Sequence, residues 1–476
     1  MAVTSDVPGA TCARARNVGS AAVLRWLLPL ALLHGLIFML FVPPWQHYDE
    51  TAHFLYAAEI AAGEREVPGP ASAAISREIA DSMYRFRFFT PEVRPDLFSP
   101  QAPLVGISQR VHPPLYYALL ALPLRAVSAL GIEQQLYLGR AVSLCFYVLT
   151  VVTAWRIALA LMPEEPLLQL ALPLLVLLAP AFTDIMTAVN NDVLLNFSVT
   201  VALLGAVLLV RDGPRPVPLA LTLLGILVAI LVKRVAVVAC IPLSLALVWS
   251  VWREQVRWWA LMLIAAAGFA LFSLVLLEPT VVEGPSGPHT IFAARPWFAA
   301  LAETYLRVNV DALLRSFTDS DLIGRRYESL LIVGFGGFWG HFGWGKPALH
   351  PAWIWLMAGL SAIATIGLLA GPLGVRADLP LWQRRCRWLF LVAVIVAWFS
   401  LFVRLHPLPP LETPVYIPRG RYMFWAIVPN VSLLALGLVS AVPPRWRQAV
   451  PYALIGLFVC LSTVAWLGTI VNYYYR

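Results

Sequence analysis

The sequence is divided into apolar blocks of roughly 20 residues, the length that crosses the hydrocarbon core of a bilayer as an α-helix. No other feature constrains the fold as strongly, because a segment surrounded by lipid must satisfy its own backbone hydrogen bonds. Hydrophobic residues make up 60% of the 476 residues and charged residues 13%, outside the usage of soluble domains. We therefore predict an all-α polytopic membrane protein with about 11 transmembrane helices. The spans are expected at about 21–42, 136–161, 167–187, 193–210, 216–232, 235–252, 258–277, 353–371, 388–405, 422–442 and 449–471.

Arginine positions give the expected topology. The net charge is +8, and the arginines lie at the edges of apolar blocks, not in runs interleaved with aromatic residues, which argues against nucleic-acid binding. With the N-terminus in the cytoplasm, the arginine-bearing connections at 211–215, 253–257, 376–387 and 445–447 all fall on the cytoplasmic side, as the positive-inside rule requires. The first apolar block has no small-x-small cleavage site, so we predict an uncleaved first span.

Two connections on the opposite, extracytoplasmic side are long enough to carry function. They cover 43–135 and 278–352, and no separate soluble domain is evident, so 1–476 is expected to form a single transmembrane domain. The apolar segment 112–131 could count as a further span, but a crossing there would place every later arginine cluster outside. We therefore assign it as a juxtamembrane or re-entrant helix in the first outer loop.

The first long loop begins with an acidic motif, DETAHFLYAAEIAAG, shortly after the first span. It contains no Pro or Gly before Gly63, which predicts a short helix beginning near Asp49. Asp49 and His53 would share a face of that helix. Asp49 and Glu50 could simply cap the helix, and His47, Asp49 and His53 have the ligand types for a divalent metal. Both alternatives stay open at this point.

A second acid and several cations are expected on the same membrane face. Asn191 and Asp192 lie at the outer entrance of the fourth span, where helix capping is the alternative role. The basic residues on this face are Lys233, Arg234, Arg419 and Arg421. The positive-inside rule disfavours cations there, so they either reach toward lipid headgroups or bind a lipid phosphate.

The segment GFGGFWGHFGWGKP, residues 334–347, alternates glycines with Phe and Trp. Aromatic residues are common where a helix meets the membrane surface. Glycines between aromatic rings would also suit a close-fitting wall for a sugar ring. The segment is compatible with either role.

In their order along the chain, the motifs DETAHFLYAAEIAAG, HPPLYY, NNDVLLN and LVKR resemble those of the GT-C integral-membrane glycosyltransferases. FWGHFGW and PRGRYMF are similar to one uncharacterised bacterial branch grouped with that superfamily. The resemblance covers roughly residues 20–440 by motif order and topology. It implies a GT-C-like fold in the bacterial inner membrane, with an extracytoplasmic active site that takes a sugar from a polyprenyl-phosphate or pyrophosphate carrier.

The resemblance also implies residue roles. Asp49 would be the base that accepts the acceptor's proton, with Glu50 assisting or positioning. The residues that would position the acceptor are Asp192, Asn191 and His53. The donor phosphate would be bound by Lys233, Arg234, Arg419, Arg421 and His112, the last at a position where several relatives have lysine. The side chains expected to contact sugar or lipid are Tyr48, Tyr116, Trp339, His341, Trp344 and Tyr422.

The expected partners are a polyprenyl-phosphate-linked sugar donor, an acceptor in the cell envelope (glycan, lipid or protein) and membrane lipids, with the chain acting as a monomer. No cofactor is favoured, and a divalent metal is kept as an alternative although Asp192 has no DxD motif. The rival functions are a transporter or flippase of lipid-linked glycan and a non-catalytic membrane subunit. A transporter should carry ionisable residues near the midplane of several spans, whereas these spans are largely free of charge.

Overall fold

The computed structural model describes residues 9–65, 67–89, 103, 105–106, 108–254, 280–284, 287–291, 330–370, 379–403 and 419–476. Regular structure in these residues is helical except for one antiparallel hairpin, β1 (Thr280–Gly284) and β2 (Gly287–Ile291). The predicted span 258–277, most of the long loop 278–352 and most of the outer loop 406–421 lie outside the described residues.

The described residues form α-helices of 3 to 33 residues. They are α1 (Gly9–Phe41), α2 (Glu50–Ala61), α3 (Pro70–Arg85), α4 (Leu115–Ala126), α5 (Ile132–Leu161), α6 (Pro166–Leu177), α7 (Pro180–Met186), α8 (Asp192–Asp212), α9 (Pro216–Val232), α10 (Cys240–Glu254), α11 (Gly336–Trp339), α12 (Pro351–Ala370), α13 (Leu381–Val403), α14 (Ile427–Ala441), α15 (Ala449–Thr463) and α16 (Asn472–Tyr474). Short 3-10 segments are Arg234–Ala239, Gly420–Ala426 and Pro444–Trp446, and π-helical segments are Leu330–Phe335 and Val464–Val471.

Seven helical segments in the described part of the chain are long and apolar enough to cross a membrane, or eight if the bent pair α6–α7 forms one span. They are Ala22–Phe41, Ile132–Leu161, Asp192–Asp212, Arg234–Val251, Pro351–Ala370, Gly420–Ala441 and Ala449–Tyr474. The prediction of an all-α multi-pass membrane protein is therefore confirmed. The predicted span 216–232 is α9, which is apolar but shorter than these segments.

The third predicted span, 167–187, is not one straight helix. α6 and α7 meet at an angle of 59°, and Ala179 between them is extended, with φ −71° and ψ 103°. Pro180 is the first residue of α7, and the residue before a proline is disfavoured in the helical region, which explains the position of the break. The bend places α7 against α1, α8, α11 and the 3-10 segment Gly420–Ala426.

The first long connection folds into short helices, as the sequence predicts. α2 begins at Glu50 and ends at Ala61, just before Gly63 with its φ of 88°. α4 has 12 residues, about 18 Å of helix, which is too short for a hydrocarbon core of roughly 30 Å. It packs against α2 and α5 instead. The assignment of 112–131 as a helix that does not cross the membrane agrees with this length.

Glycines allow two helix pairs to approach backbone to backbone. Between α8 and α9, a Cβ at Gly225 would lie only 2.8 Å from the backbone nitrogen of Ala202. Between α12 and α14, a Cβ at Gly367 would overlap the carbonyl oxygen of Gly437, and one at Gly437 would overlap the backbone of Ala364. Small residues set the packing distance of helices in lipid, where apolar burial gives little preference for one neighbour over another.

Replacing Gly367 with Leu should lower the stability of the folded protein by about 1–3 kcal/mol or more, because the side chain forces α12 away from α14. The matched control is Gly359→Leu on the same helix, where a Cβ meets nothing within 4 Å. Thermal unfolding of both purified variants in one detergent measures the difference. Equal melting temperatures would contradict close packing at Gly367.

Candidate active site

Arg140 and Glu50 form a fully buried ion pair beneath the turn that joins α1 to α2. Arg140 Nε and Nη2 donate to the two oxygens of Glu50 at 2.9 and 2.6 Å. The other N–H groups of the guanidinium donate to the carbonyls of Met39, Val42 and Pro43 at 2.7–2.9 Å. These carbonyls have no partner within α1 because they lie at its C-terminal end. One guanidinium therefore fixes both the end of α1 and the start of α2.

The carboxylate of Glu50 has further partners in the backbone. It accepts the N–H groups of Trp45 at 3.1 Å and Val189 at 3.2 Å. Burial alone would raise its pKa, but the charge of Arg140 holds the pKa of Glu50 below its usual range. A carboxylate that is fully buried and engaged in this way cannot reach a substrate. The assisting role expected for Glu50 at the reacting atoms does not fit this geometry, and Glu50 instead positions the turn.

Asp49 occupies the N-cap position of α2 but does not cap the helix with its side chain. Its backbone is left-handed, with φ 55°, a conformation that Asp tolerates better than most residues. The carboxylate turns to Arg421, whose Nη2 donates to Asp49 Oδ2 at 2.6 Å. The capping alternative accounts for the position of Asp49 in the chain but not for the direction of its side chain.

A further ion pair, between Asp192 and Lys233, lies beside the Asp49–Arg421 pair. Asp192 is the first residue of α8 and Lys233 directly follows α9, so the packing of these two helices brings the charges together. Arg421 Nε lies 4.0 Å from Asp192 Oδ2. Arg421 is therefore close to both acids, and these charged residues from four separate segments converge at one place.

The ring of Tyr48 forms one wall of this charged cluster. The guanidinium carbon of Arg421 lies 3.7 Å from the ring centroid and that of Arg419 lies 5.2 Å from it. Trp344 stacks on the same tyrosine with 5.2 Å between ring centroids. Cations over aromatic rings are held electrostatically, more strongly where water is excluded. Tyr48 thus orients both arginines and connects them to Trp344.

His53 is buried behind the cluster. Its Nδ1 lies 2.8 Å from the hydroxyl of Tyr117, and the two rings are stacked. Burial, together with the positive charges of Lys233 and Arg421, holds the pKa of His53 well below its usual range, so the ring is uncharged at neutral pH. Tyr422 also lies near Lys233, whose Nζ is 5.6 Å from the centroid of the tyrosine ring.

The residues of the metal alternative have different partners. His47 Nδ1 lies 2.8 Å from Asp184 Oδ1, while His53 contacts a tyrosine hydroxyl and Asp49 an arginine. Among the residues that the structure describes, no three His, Cys, Asp or Glu side chains are grouped closely enough to hold a metal ion. His47, Asp49 and His53 therefore do not converge on a common ligand position.

Asp184 connects the glycine-rich segment 334–347 to the site. Its second carboxylate oxygen accepts the N–H of Gly343 at 3.0 Å, and this glycine has a φ of 48°. Gly420 lies so close to the backbone of Gly337 that a side chain would not fit. The two arginines that flank Gly420 are consequently held against the glycine-rich segment.

Two neighbouring cavities open beside the charged cluster. The smaller has a volume of about 40 Å³ and the larger, more open one about 470 Å³. The smaller cavity is lined by residues that include Tyr48, Asp184, Arg421, Ala181, Ile185 and Phe424. The larger is lined by residues that include Gln46, Phe88, Trp344, Lys346 and Tyr473. Both contact Val333, His341, Gly345 and Arg419, so the cavities share a wall.

The remaining predicted residues lie around the cluster, not in it. Tyr116 and Trp339 are buried and line neither cavity, so the sugar contact expected of them does not fit their positions. Asn191 precedes α8 and is fully buried, and its side-chain amide has no hydrogen-bond partner among the described residues. Arg234 begins the 3-10 segment after α9, and His112 is half-buried just before α4.

Two residues that shape the site were not among the sequence candidates. Arg140 lies inside the apolar helix α5, where an ionisable residue is itself a signal of a required partner. Asp184 comes eight residues before Asp192 in the same polar stretch, TDIMTAVNND. Its partners, His47 and Gly343, are distant in sequence. The sequence therefore shows that Asp184 carries a charge but not that it binds these two residues.

Similarity to known proteins is limited to solved structures. No family model matches the chain, and no curated protein matches it. Among solved structures, the chain is similar to the archaeal oligosaccharyltransferase AglB from Archaeoglobus fulgidus in complex with an inhibitory peptide and a dolichol-phosphate, at 15% identity and a TM-score of 0.47. The alignment covers 95% of this chain and 56% of AglB, so the chain spans about half the length of that protein.

Glu50→Ala should destabilise the fold by about 3–5 kcal/mol, because it leaves Arg140 buried without its counter-charge. The control is Asp49→Asn at the adjacent position, which keeps the left-handed backbone accessible and removes a partly exposed pair, so its effect should be much smaller. Unfolding of the purified variants in detergent measures both. Equal losses would show that the Arg140–Glu50 pair has no special role.

The effect of Glu50→Gln should also depend on pH. Because the pKa of Glu50 is lowered by folding, its ionised form stabilises the protein above the unfolded pKa of about 4.3, and this stabilisation is lost as the pH falls through the lower folded pKa. Melting temperatures of wild type and Glu50→Gln should therefore converge between neutral and strongly acidic pH. A difference that stays constant would contradict the lowered pKa.

Proposed function

We propose that this chain is a GT-C-type glycosyltransferase that moves a sugar from a polyprenyl-phosphate-type lipid carrier to an acceptor at the extracytoplasmic face of the cell membrane. The observation that carries the proposal is the convergence of Asp49, Asp192, Lys233 and Arg421, of which Arg421 lines the smaller cavity. Such a set supplies a base for the acceptor and cations for a departing phosphate. The motif order in the sequence supports the same reaction class.

Arg421 has donors available for an incoming phosphate. Its Nη2 is bonded to Asp49, while Nε and Nη1 are buried and have no hydrogen-bond partner among the described residues. Buried donors without partners are unfavourable, and a phosphate in the adjoining cavity would accept a charge-assisted hydrogen bond from one of them. Arg419 lines the same cavity and supplies a second cation.

Asp192 is suited to orient the acceptor. One of its oxygens is held by Lys233, and Oδ2 has no hydrogen-bond partner among the described residues. That oxygen can accept a hydrogen bond from an acceptor hydroxyl, while Lys233 keeps the carboxylate ionised and fixed. In this proposal the main role of Lys233 is to hold Asp192 in place. His53 and Asn191 are buried next to the cluster and help to position it.

In the proposed step, the acceptor hydroxyl gives its proton to Asp49 while its oxygen attacks the anomeric carbon of the donor sugar. The bond between that carbon and the phosphate oxygen breaks, and its electron pair leaves with the phosphate. Arg421 and Arg419 stabilise the negative charge that develops there, and a single displacement inverts the anomeric carbon.

Asp49→Asn should reduce sugar transfer by about 10²–10⁴-fold, the usual contribution of a positioned base, with normal protein level and membrane insertion. The measurement is mass spectrometry of envelope glycans in a deletion strain carrying each variant on a plasmid. Asp212→Asn, at the opposite end of α8 from Asp192, is the control and should restore the missing sugar as wild type does.

A variant Asp49→Asn that restores the sugar fully would overturn the assignment of the base. A deletion strain that accumulates an intact lipid-linked glycan, with no sugar missing from it, would instead support the flippase. A strain with unchanged glycans and lipid-linked precursors would support a non-catalytic subunit.

A further inference from the structure

The larger cavity lies next to the reacting cluster and differs from the smaller one in its lining. The smaller cavity contains the apolar side chains of Ala181, Ile185 and Phe424, which belong to α7 and the 3-10 segment Gly420–Ala426. The larger cavity is formed by turns and helix ends, with Gln46, Phe88 and Tyr473 among its residues. The small cavity beside Arg421 suits the phosphate of the donor, whereas the larger, open cavity suits a water-soluble group such as a sugar.

The larger cavity is cationic. Arg419 and Lys346 line it, and none of the described residues in its lining is acidic. Burial, together with the charge of Arg419, lowers the pKa of His341, so this histidine adds polarity without charge at neutral pH. Arg419 Nε is buried and has no hydrogen-bond partner among the described residues. In contrast to Arg421 and Lys233, whose charges are balanced by Asp49 and Asp192, these cations face an open cavity.

The same cavity carries exposed aromatic surface. Trp344 is 39% exposed and is fixed in place by stacking on Tyr48 and by an edge contact with Phe88 at 6.0 Å between ring centroids. A rigid indole with a free surface is well suited to pack against the C–H groups of a sugar ring, because it gains contact area at little entropic cost. Tyr48 contacts both Trp344 and Arg421, so such a ring would lie beside the Asp49–Arg421 pair.

We propose that the larger cavity is the acceptor subsite and that it selects a glycan bearing a carboxylate, such as a uronic acid residue. The sugar ring packs on Trp344, and its carboxylate is bound by Lys346 and Arg419. The acceptor hydroxyl then points toward Asp49, on the side of the residues that line both cavities. This inference rests on the proposed function, because it takes the smaller cavity as the place of the donor phosphate.

The test is a binding experiment with the full-length protein in detergent, using isothermal titration calorimetry. The probes are trigalacturonic acid and its methyl ester, which has the same rings without the charge. Wild type should bind the acid about tenfold more tightly than the ester, as expected for one or two charge-assisted contacts at an open site. Lys346→Met should abolish this preference, and Trp344→Ala should weaken both ligands by similar factors.

Arg445→Met is the matched control, since Arg445 is exposed beyond the opposite end of α14 from the site, and it should bind like wild type. Equal affinity of wild type for acid and ester, or no binding of either, would overturn the inference. So would displacement of trigalacturonate by farnesyl phosphate with the same dependence on Lys346, because the cavity would then belong to the donor.

The result can be separated from a failure of the proposed function. Asp49→Asn should keep the preference for the acid, because this residue does not line the larger cavity. If Asp49→Asn transfers sugar normally while the preference persists, the base assignment fails and the acidic-sugar site stands. If Asp49→Asn is inactive but no preference exists, the acceptor proposal alone fails.

Discussion

The buried pair of Arg140 and Glu50 is the interaction on which the site depends. Arg140 lies in the first third of α5, and its donors bind the carbonyls at the end of α1 and both oxygens of Glu50. Removing one partner from a buried ion pair is strongly destabilising, so this pair holds the chain to one path between Val42 and Glu50. Asp49 has a left-handed backbone within this path, which turns its carboxylate away from the buried pair.

The charged residues at the site form two ion pairs, and a positive charge is left without an acidic partner among the described residues. Asp49 with Arg421 and Asp192 with Lys233 need no ligand for neutrality. Arg419, close to Tyr48 and to both cavities, is the cation that these acids leave uncompensated in the described structure. An arriving anion therefore gains attraction without removing either acid from its cation. This arrangement is compatible with the proposed binding of a phosphate beside two acids.

Helix packing determines where these charges meet. The break before Pro180 turns α7 toward the cluster and brings Asp184 to His47 and Gly343. Close contact of α8 with α9 brings Asp192 to Lys233. The glycines at these contacts act by being small, so the position of the site depends on backbone distances set within the membrane helices. The reacting groups thus lie on the ends of rigid elements, which keeps them in place with little flexibility.

The sequence by itself determined the helical multi-pass architecture and the start of α2, because apolar block length and helix signals are local properties of the chain. Motif resemblance also identified Asp49, Asp192, Lys233 and Arg421, which the structure brings together. It assigned Asp49 as the base and Glu50 to assist or position, but the partner of each acid is not visible in the sequence. Asp49 has a left-handed backbone just before α2, and Glu50 is the first residue of that helix, so one acid meets Arg421 and the other Arg140. Only the tertiary structure decided which cation each acid contacts, because the partners come from segments far apart in the chain. The same holds for the burial of Tyr116 and Trp339 and for the roles of Arg140 and Asp184.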